Sequence, residues 1–470
     1  MNIPVSKGNK IYFVGIKGIA MASLAVWAKE AGYRVTGSDT EEVFPSDEVL
    51  RKARISWYTS FDSARIKKLK PNLVIYTGAH SGRGNPEAIE AHALGISVMP
   101  HGQALGEFMK GKRQISVAGS HGKTTTTAMI ATIFSVAGLD PSYAVGCGMI
   151  RGLGLPGHHG KGQVFISEAD EYVTDPGHDD TPRFFWQSPE FFVVTNIDFD
   201  HPDVYKDLAD VENAFVSVQE KNSGCTTILN SDDKSSQVLF RKGHRVLTYG
   251  FSPQANLRIT HIGTGTERTF FTLELNNMPI GEFDLHVPGR HNVYNAAAGA
   301  LVCYEFGLSW ETIRKGLKAF GGTKRRSEIV AQGHGIILYD DYAHHPKEIV
   351  ATLEALRSWY PHRRLITIFQ PHTYSRTKAL FEDFSRAFGK SDIVFMTDIY
   401  ASAREKVQKD ITSKQLVEKM HAYQKNVLYT PNLPRVKSQL LSMMQSGDII
   451  VLMGAGNIYI WGNELKSLLI

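Results

Sequence analysis

The feature that most constrains this chain is an eight-residue run, Gly119-Ser120-His121-Gly122-Lys123-Thr124-Thr125-Thr126, set between a strand-like segment and a stretch with helical periodicity. The preceding QISVAG reads as a buried strand, and the following TAMIATIFSVAG spaces its apolar residues as a helix does. A strand that turns through glycines into a helix leaves backbone N–H groups facing outward, at the helix end whose dipole favours an anion. The run is a shortened relative of the P-loop. Its glycines let N–H groups wrap phosphate oxygens, Lys123 is expected to meet the β/γ-phosphates, and a threonine hydroxyl is expected to join Mg²⁺. The strand-loop-helix context and the G-K-T-T order set it apart from a glycine turn with a capping threonine.

Mg²⁺ bound to ATP takes one or two carboxylates together with waters. Glu168, in Ser167-Glu168-Ala169-Asp170-Glu171, ends the apolar run VFIS, and His201, in Asn196-Ile197-Asp198-Phe199-Asp200-His201, ends FFVVTN. Parallel α/β sheets build their sites just past the C-terminal ends of strands, so these polar clusters are expected at the site rather than on a solvated face.

Upstream, residues 11–15 (IYFVG) enter a glycine turn and IAMASLAVWAKEAG follows with helical spacing. YRVTGSD reads as a second strand ending at Ser38 and Asp39, and PNLVIYTG as another, which together make a Rossmann-like half. In Gly15-Ile16-Lys17-Gly18, Lys17 stands where a dinucleotide fingerprint has its second glycine, so the turn does not establish NAD binding. It is expected to hold a diphosphate, with Lys17 adding positive charge.

Residues 246–287 alternate in a way that suggests antiparallel strands flanking the central part. FGGTKRRSE reads as a linker from which Arg325 and Arg326 reach the nucleotide when domains close. Beyond it, IILYDD, LITIFQP, DIVFMTD and DIIVLMGAG read as four strands of a third α/β unit. Asp340-Asp341-Tyr342-Ala343-His344-His345-Pro346 and Gln370-Pro371-His372-Thr373-Tyr374-Ser375-Arg376 each follow one of them and are expected to open onto one sheet edge. There Arg376 can pair with a carboxylate or phosphate through its planar fork, and His344 can orient or deprotonate an amine.

At 470 residues the chain exceeds what one core organises, and the reading is three α/β domains: 1–110, 111–321 and 322–470. With 42% hydrophobic and 21% charged residues it is a folded, soluble composition; a net charge of +5 without any Lys/Arg block excludes a nucleic-acid tail and suits a polyanionic small substrate. Three widely spaced cysteines, Cys147, Cys225 and Cys303, support neither a disulfide framework nor a zinc pattern and point to a reducing compartment. No secretory n-region and no long apolar window is present, so a cytoplasmic protein without membrane spans is expected.

Taken in order, these motifs resemble the Mur ligase family over nearly the whole chain. G-S-H-G-K-T-T-T resembles its ATP loop, E-A-D-E and N-I-D-F-D-H its magnesium-binding positions, and G-R-H-N-V-Y-N, residues 289–295, its adenine-side segment. D-D-Y-A-H-H-P, F-Q-P-H-T-Y-S-R and M-G-A-G-N-I look like the branch that joins L-alanine to UDP-N-acetylmuramate. The resemblance implies a Rossmann-like UDP-sugar domain, a central P-loop-type ATPase domain and a Rossmann-like C-terminal domain for the amino acid, in a monomer or homodimer using ATP and Mg²⁺. It implies Gly119 to Thr125 around ATP, with Asn292, Arg326 and Asp341, and the metal at Thr124, Glu168 and His201. Lys123, His344 and Arg376 would serve catalysis, and Gly15, Lys17, Gly18, Ser38, Asp39, Tyr342 and His345 the substrates. The chain departs from the family pattern at Lys17 (commonly glycine), Thr373 (commonly a second arginine) and Ser327 (commonly aromatic). Rival readings are a recycling ligase that attaches an intact tripeptide, an NAD-dependent oxidoreductase and a non-catalytic nucleotide-gated module.

Overall fold

The computed structural model describes residues 7–201, 203–401, 405, 407–408 and 410–469. These form two compact units. One comprises Met1–Ile262, Phe270–Asp284 and Val293–Gly321, the other Gly263–Thr269, Leu285–Asn292 and Gly322–Ile470.

The first unit contains two sheets that bear on function. In the five-stranded one, Lys10–Val14 lies at the centre, between Arg34–Ser38 and Leu73–Tyr76, with Trp57–Tyr58 and Ser97–Pro100 at the edges. All its pairings are parallel. Lys10–Val14 reads KIYFV without alternation because helices cover both faces, and Ile11, Tyr12, Phe13 and Val14 are all buried. The helix Ile19–Glu30 follows the Gly15 turn and stops at Gly32, whose φ of 97° suits the left-handed residue beyond a helix end. Its Trp27 packs on Phe108 and Phe165 with ring centroids 4.7 and 5.6 Å apart, joining this sheet's core to the next. The sequence reading found three of the five strands; the two edge strands are short and lack an apolar run.

The ten-stranded sheet carries, side by side, Phe191–Val194, Arg113–Ala118 and Val164–Glu168. They are parallel, with Val193 opposite Val117 and Val117 opposite Glu168, so three loops leave one edge of the sheet at nearly the same level. The helix Lys123–Val136 is buried along almost its whole length, from Thr124 through Phe134, its threonines included. One expectation needs correction. Arg245–Gly250 pairs parallel with both Thr226–Asn230 and Leu257–Gly265, so the flank begins by extending the parallel sheet rather than as an antiparallel addition. Only then does the chain double back, and the two-residue turn between Arg268–Leu275 and Met278–Leu285 has Asn276 and Asn277 both at positive φ, the backbone of a tight hairpin.

The second unit holds a six-stranded sheet in the order Glu328–Gly333, Ile336–Asp341, Ile449–Met453, Leu365–Phe369, Ile393–Met396, Val427–Tyr429. Its first pair is antiparallel and the rest parallel. The four strands expected from sequence form the middle, with one further strand at each edge. Residues 263–269 also belong to this unit: the Trp359 indole N–H donates to Thr269 Oγ1 at 3.1 Å and the Tyr360 hydroxyl to Glu267 Oε1 at 3.1 Å.

Candidate active site

The phosphate-type loop sits where the sequence placed it, between Arg113–Ala118 and the helix starting at Lys123. Its conformation depends on glycine. Gly122 has φ 85°, and a Cβ there would lie 2.5 Å from Asn295 Oδ1. The loop is braced from the next strand end: Asn196 Oδ1 accepts the His121 N–H at 3.0 Å, and Asn196 Nδ2 and Thr195 Oγ1 donate to the His121 carbonyl at 2.9 and 2.5 Å. Ser120 Oγ donates to the Asp198 carbonyl at 3.0 Å and accepts the Asp198 N–H at 2.7 Å. Two residues after a buried strand, Asn196 stands in the motif that sequence reading assigned to metal; its observed task is to hold the loop.

Lys123 is the electrostatic centre. Its ammonium donates to the Gly119 carbonyl at 2.5 Å and lies 3.0 Å from Glu171 Oε2. Burial pulls its pKa down, but Glu171 and Asp170 outweigh that and hold it well above the usual lysine range. Thr124 Oγ1 donates to Glu168 Oε2 at 3.2 Å, and Glu168 Oε1 accepts the Gly146 N–H at 2.5 Å. Burial pushes the Glu168 carboxyl up, against the Gly146 N–H and Lys123.

The expected metal residues Thr124, Glu168 and His201 each have partners at this sheet edge. Thr124 and Glu168 touch each other, whereas the ligand atoms of His201 cluster with those of Asp170 and Glu171, all within 4.8 Å. Burial raises the Asp170 carboxyl, and Arg183, Lys123 and His201 together pull it below its usual range. Burial lowers the His201 imidazole, while Glu171 and Asp200 raise it to a net upward shift. Asp170 and Glu171 stood in the same E-A-D-E motif as Glu168; which acid faces which partner depends on how the chain leaves the strand, and spacing alone does not encode that. The donor set of carboxylates and a threonine hydroxyl beside a phosphate-type loop suits a hard divalent cation such as Mg²⁺.

At the N-terminal sheet, Gly15 has φ 78° and any Cβ would collide with Thr77. Gly18 caps the helix Ile19–Glu30. Lys17 departs from expectation. Its side chain is 2% exposed, and its ammonium donates to the Glu42 carbonyl and lies 3.7 Å from Asp47. Its charge is therefore balanced inside the protein rather than offered to a diphosphate. Its backbone N–H donates to Asp39 Oδ2 at 2.7 Å, and the Ser38 hydroxyl is bonded to the buried Glu87.

In the second unit the two expected loops do meet. His344 and His372 rings lie 5.9 Å apart edge to face, and Arg376 Nη1 is 3.5 Å from His372 Nδ1. His344 Nδ1 lies 3.0 Å from the Tyr342 carbonyl and 3.2 Å from Glu348 Oε2. His345 is buried and caps the helix Pro346–Trp359, its Nδ1 accepting the Lys347 N–H at 3.3 Å. Asp341 Oδ1 accepts the N–H of Ala343, and Oδ2 accepts both the N–H and hydroxyl of Ser327, so this carboxylate braces its own loop. Ser327 thereby has a structural reason: at φ 46° it caps Asp341, where an aromatic would offer no hydroxyl. Thr373 adopts φ 71° and ψ 140°, a strained setting for a β-branched residue that costs about 1–3 kcal/mol.

The paired arginines separate. Arg325 is buried: its Nε donates to Asp340 Oδ2 at 3.2 Å, its Nη2 to the Gly454 carbonyl at 2.5 Å, and its guanidinium lies over Tyr342 and Tyr459. Within this unit it serves as a buried strut. Burial lifts the Asp340 carboxyl to about 6 against the pull of Arg325. Arg326 is partly exposed, 3.7 Å from Glu348 Oε1 and 5.2 Å from the Tyr342 ring centroid. Desolvation lowers the pKa of His291 and Arg326 lowers it further, to about 4. Asn292 is buried, donating through Nδ2 to the Pro288 carbonyl at 2.7 Å.

Comparison with known proteins agrees with this geometry. Residues 10–113 match the Mur ligase family catalytic domain, 117–303 the Mur ligase middle domain, and 325–456 the Mur ligase glutamate ligase domain. The UDP-N-acetylmuramate–L-alanine ligase of Desulfitobacterium hafniense is 38% identical over 456 residues, covering 97% of this chain and 99% of that protein. This chain belongs to the Mur ligase family. The enzyme of the same name from Desulforapulum autotrophicum is 36% identical over 98% of the chain. Among solved structures, the UDP-N-acetylmuramate-alanine ligase of Thermotoga maritima is 25% identical with a TM-score of 0.82, each chain covered to 98%. A murein peptide ligase from Psychrobacter arcticus, 23% identical with a TM-score of 0.72, shares the fold. Mur ligases are ATP-dependent, so this chain needs ATP. Among the described residues no helix is long and apolar enough to cross a membrane.

Proposed function

We propose that this Mur ligase joins L-alanine to the lactyl carboxylate of UDP-N-acetylmuramate at the expense of ATP, a step of peptidoglycan precursor synthesis. The observation that carries the reading is identity of 38% across 97% of the chain to a ligase of that name, in a protein whose phosphate loop, partly buried lysine and carboxylate cluster meet at one sheet edge. The domains that support it are 1–110 for the UDP-sugar, 111–321 for ATP and 322–470 for the amino acid.

A carboxylate does not condense with an amine at neutral pH, so it is first phosphorylated. The lactyl oxygen attacks the γ-phosphorus of ATP, the bond to the β,γ-bridging oxygen breaks, and ADP and an acyl phosphate result. Lys123 and the N–H groups of residues 119–125 offset charge on the phosphoryl oxygens; positioning and electrostatics supply nearly all the rate. A bound Mg²⁺ would neutralise phosphate charge further, and Thr124, Glu168, Asp170, Glu171 and His201 are the residues to hold it. Arg326 and Asn292 belong to the nucleotide side. His344 and Arg376 receive the amino acid, Arg376 pairing with its carboxylate and His344 accepting the proton of the attacking amine; the carbon–nitrogen bond forms as phosphate leaves. Gly15, Gly18, Ser38 and Asp39 line the sugar-nucleotide end. Cytoplasmic substrates and three buried thiols fit a reducing compartment.

Trapping tests the intermediate. With ATP, Mg²⁺ and UDP-N-acetylmuramate but no amino acid, hydroxylamine should yield the sugar hydroxamate; ADP formed without any hydroxamate would oppose the acyl-phosphate route.

A further inference from the structure

The turn that presents His372 and Arg376 is held from a distance. After the strand Leu365–Phe369 the chain bends through Thr373, whose φ of 71° a β-branched residue does not adopt unaided. Thr373 N–H donates to the Tyr400 carbonyl at 2.9 Å, Tyr400 N–H donates back to the Pro371 carbonyl at 2.9 Å, and the His372 and Tyr400 rings stack at 5.8 Å. Beyond the bend, one side chain closes the structure. Glu405 Oε2 accepts the Tyr374 N–H at 2.6 Å and its Oε1 accepts the Ser375 N–H at 2.8 Å. Lys378, near the other end of the same short helix, pairs with Asp410 at 2.6 Å. Two adjacent N–H groups, each on its own carboxylate oxygen, fix orientation as well as distance, because a charged acceptor shortens and strengthens both bonds.

We propose that Glu405 is a positioning residue for the amino-acid pocket. It locks the strained turn that carries His372 and Arg376, so the grip on the amino acid's carboxylate depends on a side chain that need not touch it. The inference rests on the pocket reading given above. A glutamine at 405 keeps one acceptor oxygen but turns an NH₂ toward the other N–H, so it restores part of the hold. An alanine restores none. The helix Tyr374–Ala379 is only six residues long and its packing does not form the core of the unit, so the loss loosens a loop rather than the fold.

The test uses Glu405→Ala and Glu405→Gln in the full-length enzyme, with phosphate release for kinetics, hydrogen exchange for the amides of residues 374 and 375, and a thermal melt. Expected for the alanine variant is a rise of about tenfold or more in the KM for L-alanine, the KM values for ATP and UDP-N-acetylmuramate staying within about twofold. Amide exchange at 374 and 375 should quicken, the melting midpoint should hold, and the glutamine variant should fall between. An unchanged alanine KM with quickened exchange would overturn the proposal, as would unchanged exchange, or all three KM values and the midpoint moving together. Failure of the pocket reading itself shows separately, as absence of alanine-dependent turnover in the unsubstituted enzyme.

Discussion

The ammonium of Lys123 lies 3.0 Å from Glu171 Oε2, and the other oxygen of that carboxylate lies 3.6 Å from the His201 ring. The lysine of the phosphate loop is thus pre-positioned by a buried acid that also belongs to the metal-type cluster. Lys123→Ala should lower turnover by about 10²–10³-fold, the cost of losing one preorganised charge on a developing transition state. UDP-sugar binding, measured by calorimetry, should persist; loss of that binding as well would mean the lysine holds the fold instead.

Arg325 and Arg326 are neighbours with opposite expected phenotypes. Arg325→Ala removes the partner of buried Asp340 and two ring contacts, so it should destabilise by about 3–5 kcal/mol in denaturant unfolding. Arg326→Ala, with a partly exposed side chain, should leave stability within about 0.5 kcal/mol and raise the KM for ATP. Equal effects of the two on stability would contradict the structural assignment.

These two residues also show where sequence reading stops. The loop edges were legible because apolar runs, glycine turns and polar strand ends follow rules that act within ten residues. Arg325 was not, because its partners Asp340, Gly454 and Tyr459 are brought to it by the sheet. Lys17 misled for the same reason: Asp47 neutralises it from thirty positions away. His345 sits in a motif rich in apparent catalysts and serves as a helix cap. The choice among Glu168, Asp170 and Glu171 needed coordinates, since all three acids follow one strand.

Asn196 should matter to ATP without touching chemistry. Asn196→Ala removes two side-chain bonds to His121 and should cost about 1–3 kcal/mol in stability. The KM for ATP should rise with it, because the loop loses its brace. An unaltered KM for ATP would show that the loop keeps its shape from glycine geometry alone.

His158 links stability to pH. It lies 2.7 Å from Glu30 Oε2 and 2.8 Å from Asp140 Oδ1, tying the end of the helix Ile19–Glu30 to the middle domain. The bond to Glu30, opposed by burial and helped by Asp140, raises its pKa from 6.5 to about 9. A raised folded-state pKa gives stability that is complete below 6.5 and is lost as pH rises through about 9. Half-exposed, the pair is screened, so the contribution should be about 1 kcal/mol. The gap in unfolding midpoint between wild type and His158→Gln should narrow from pH 6 to pH 9.5; a gap independent of pH would remove the charge from the account.

The most direct measurement of the central claim is phosphate release by the purified protein with ATP, Mg²⁺ and UDP-N-acetylmuramate, adding L-alanine, the cell-wall tripeptide, or neither. Sustained release that requires L-alanine, with one phosphate per amide formed, is the predicted result. Release that requires the tripeptide and ignores alanine would contradict it.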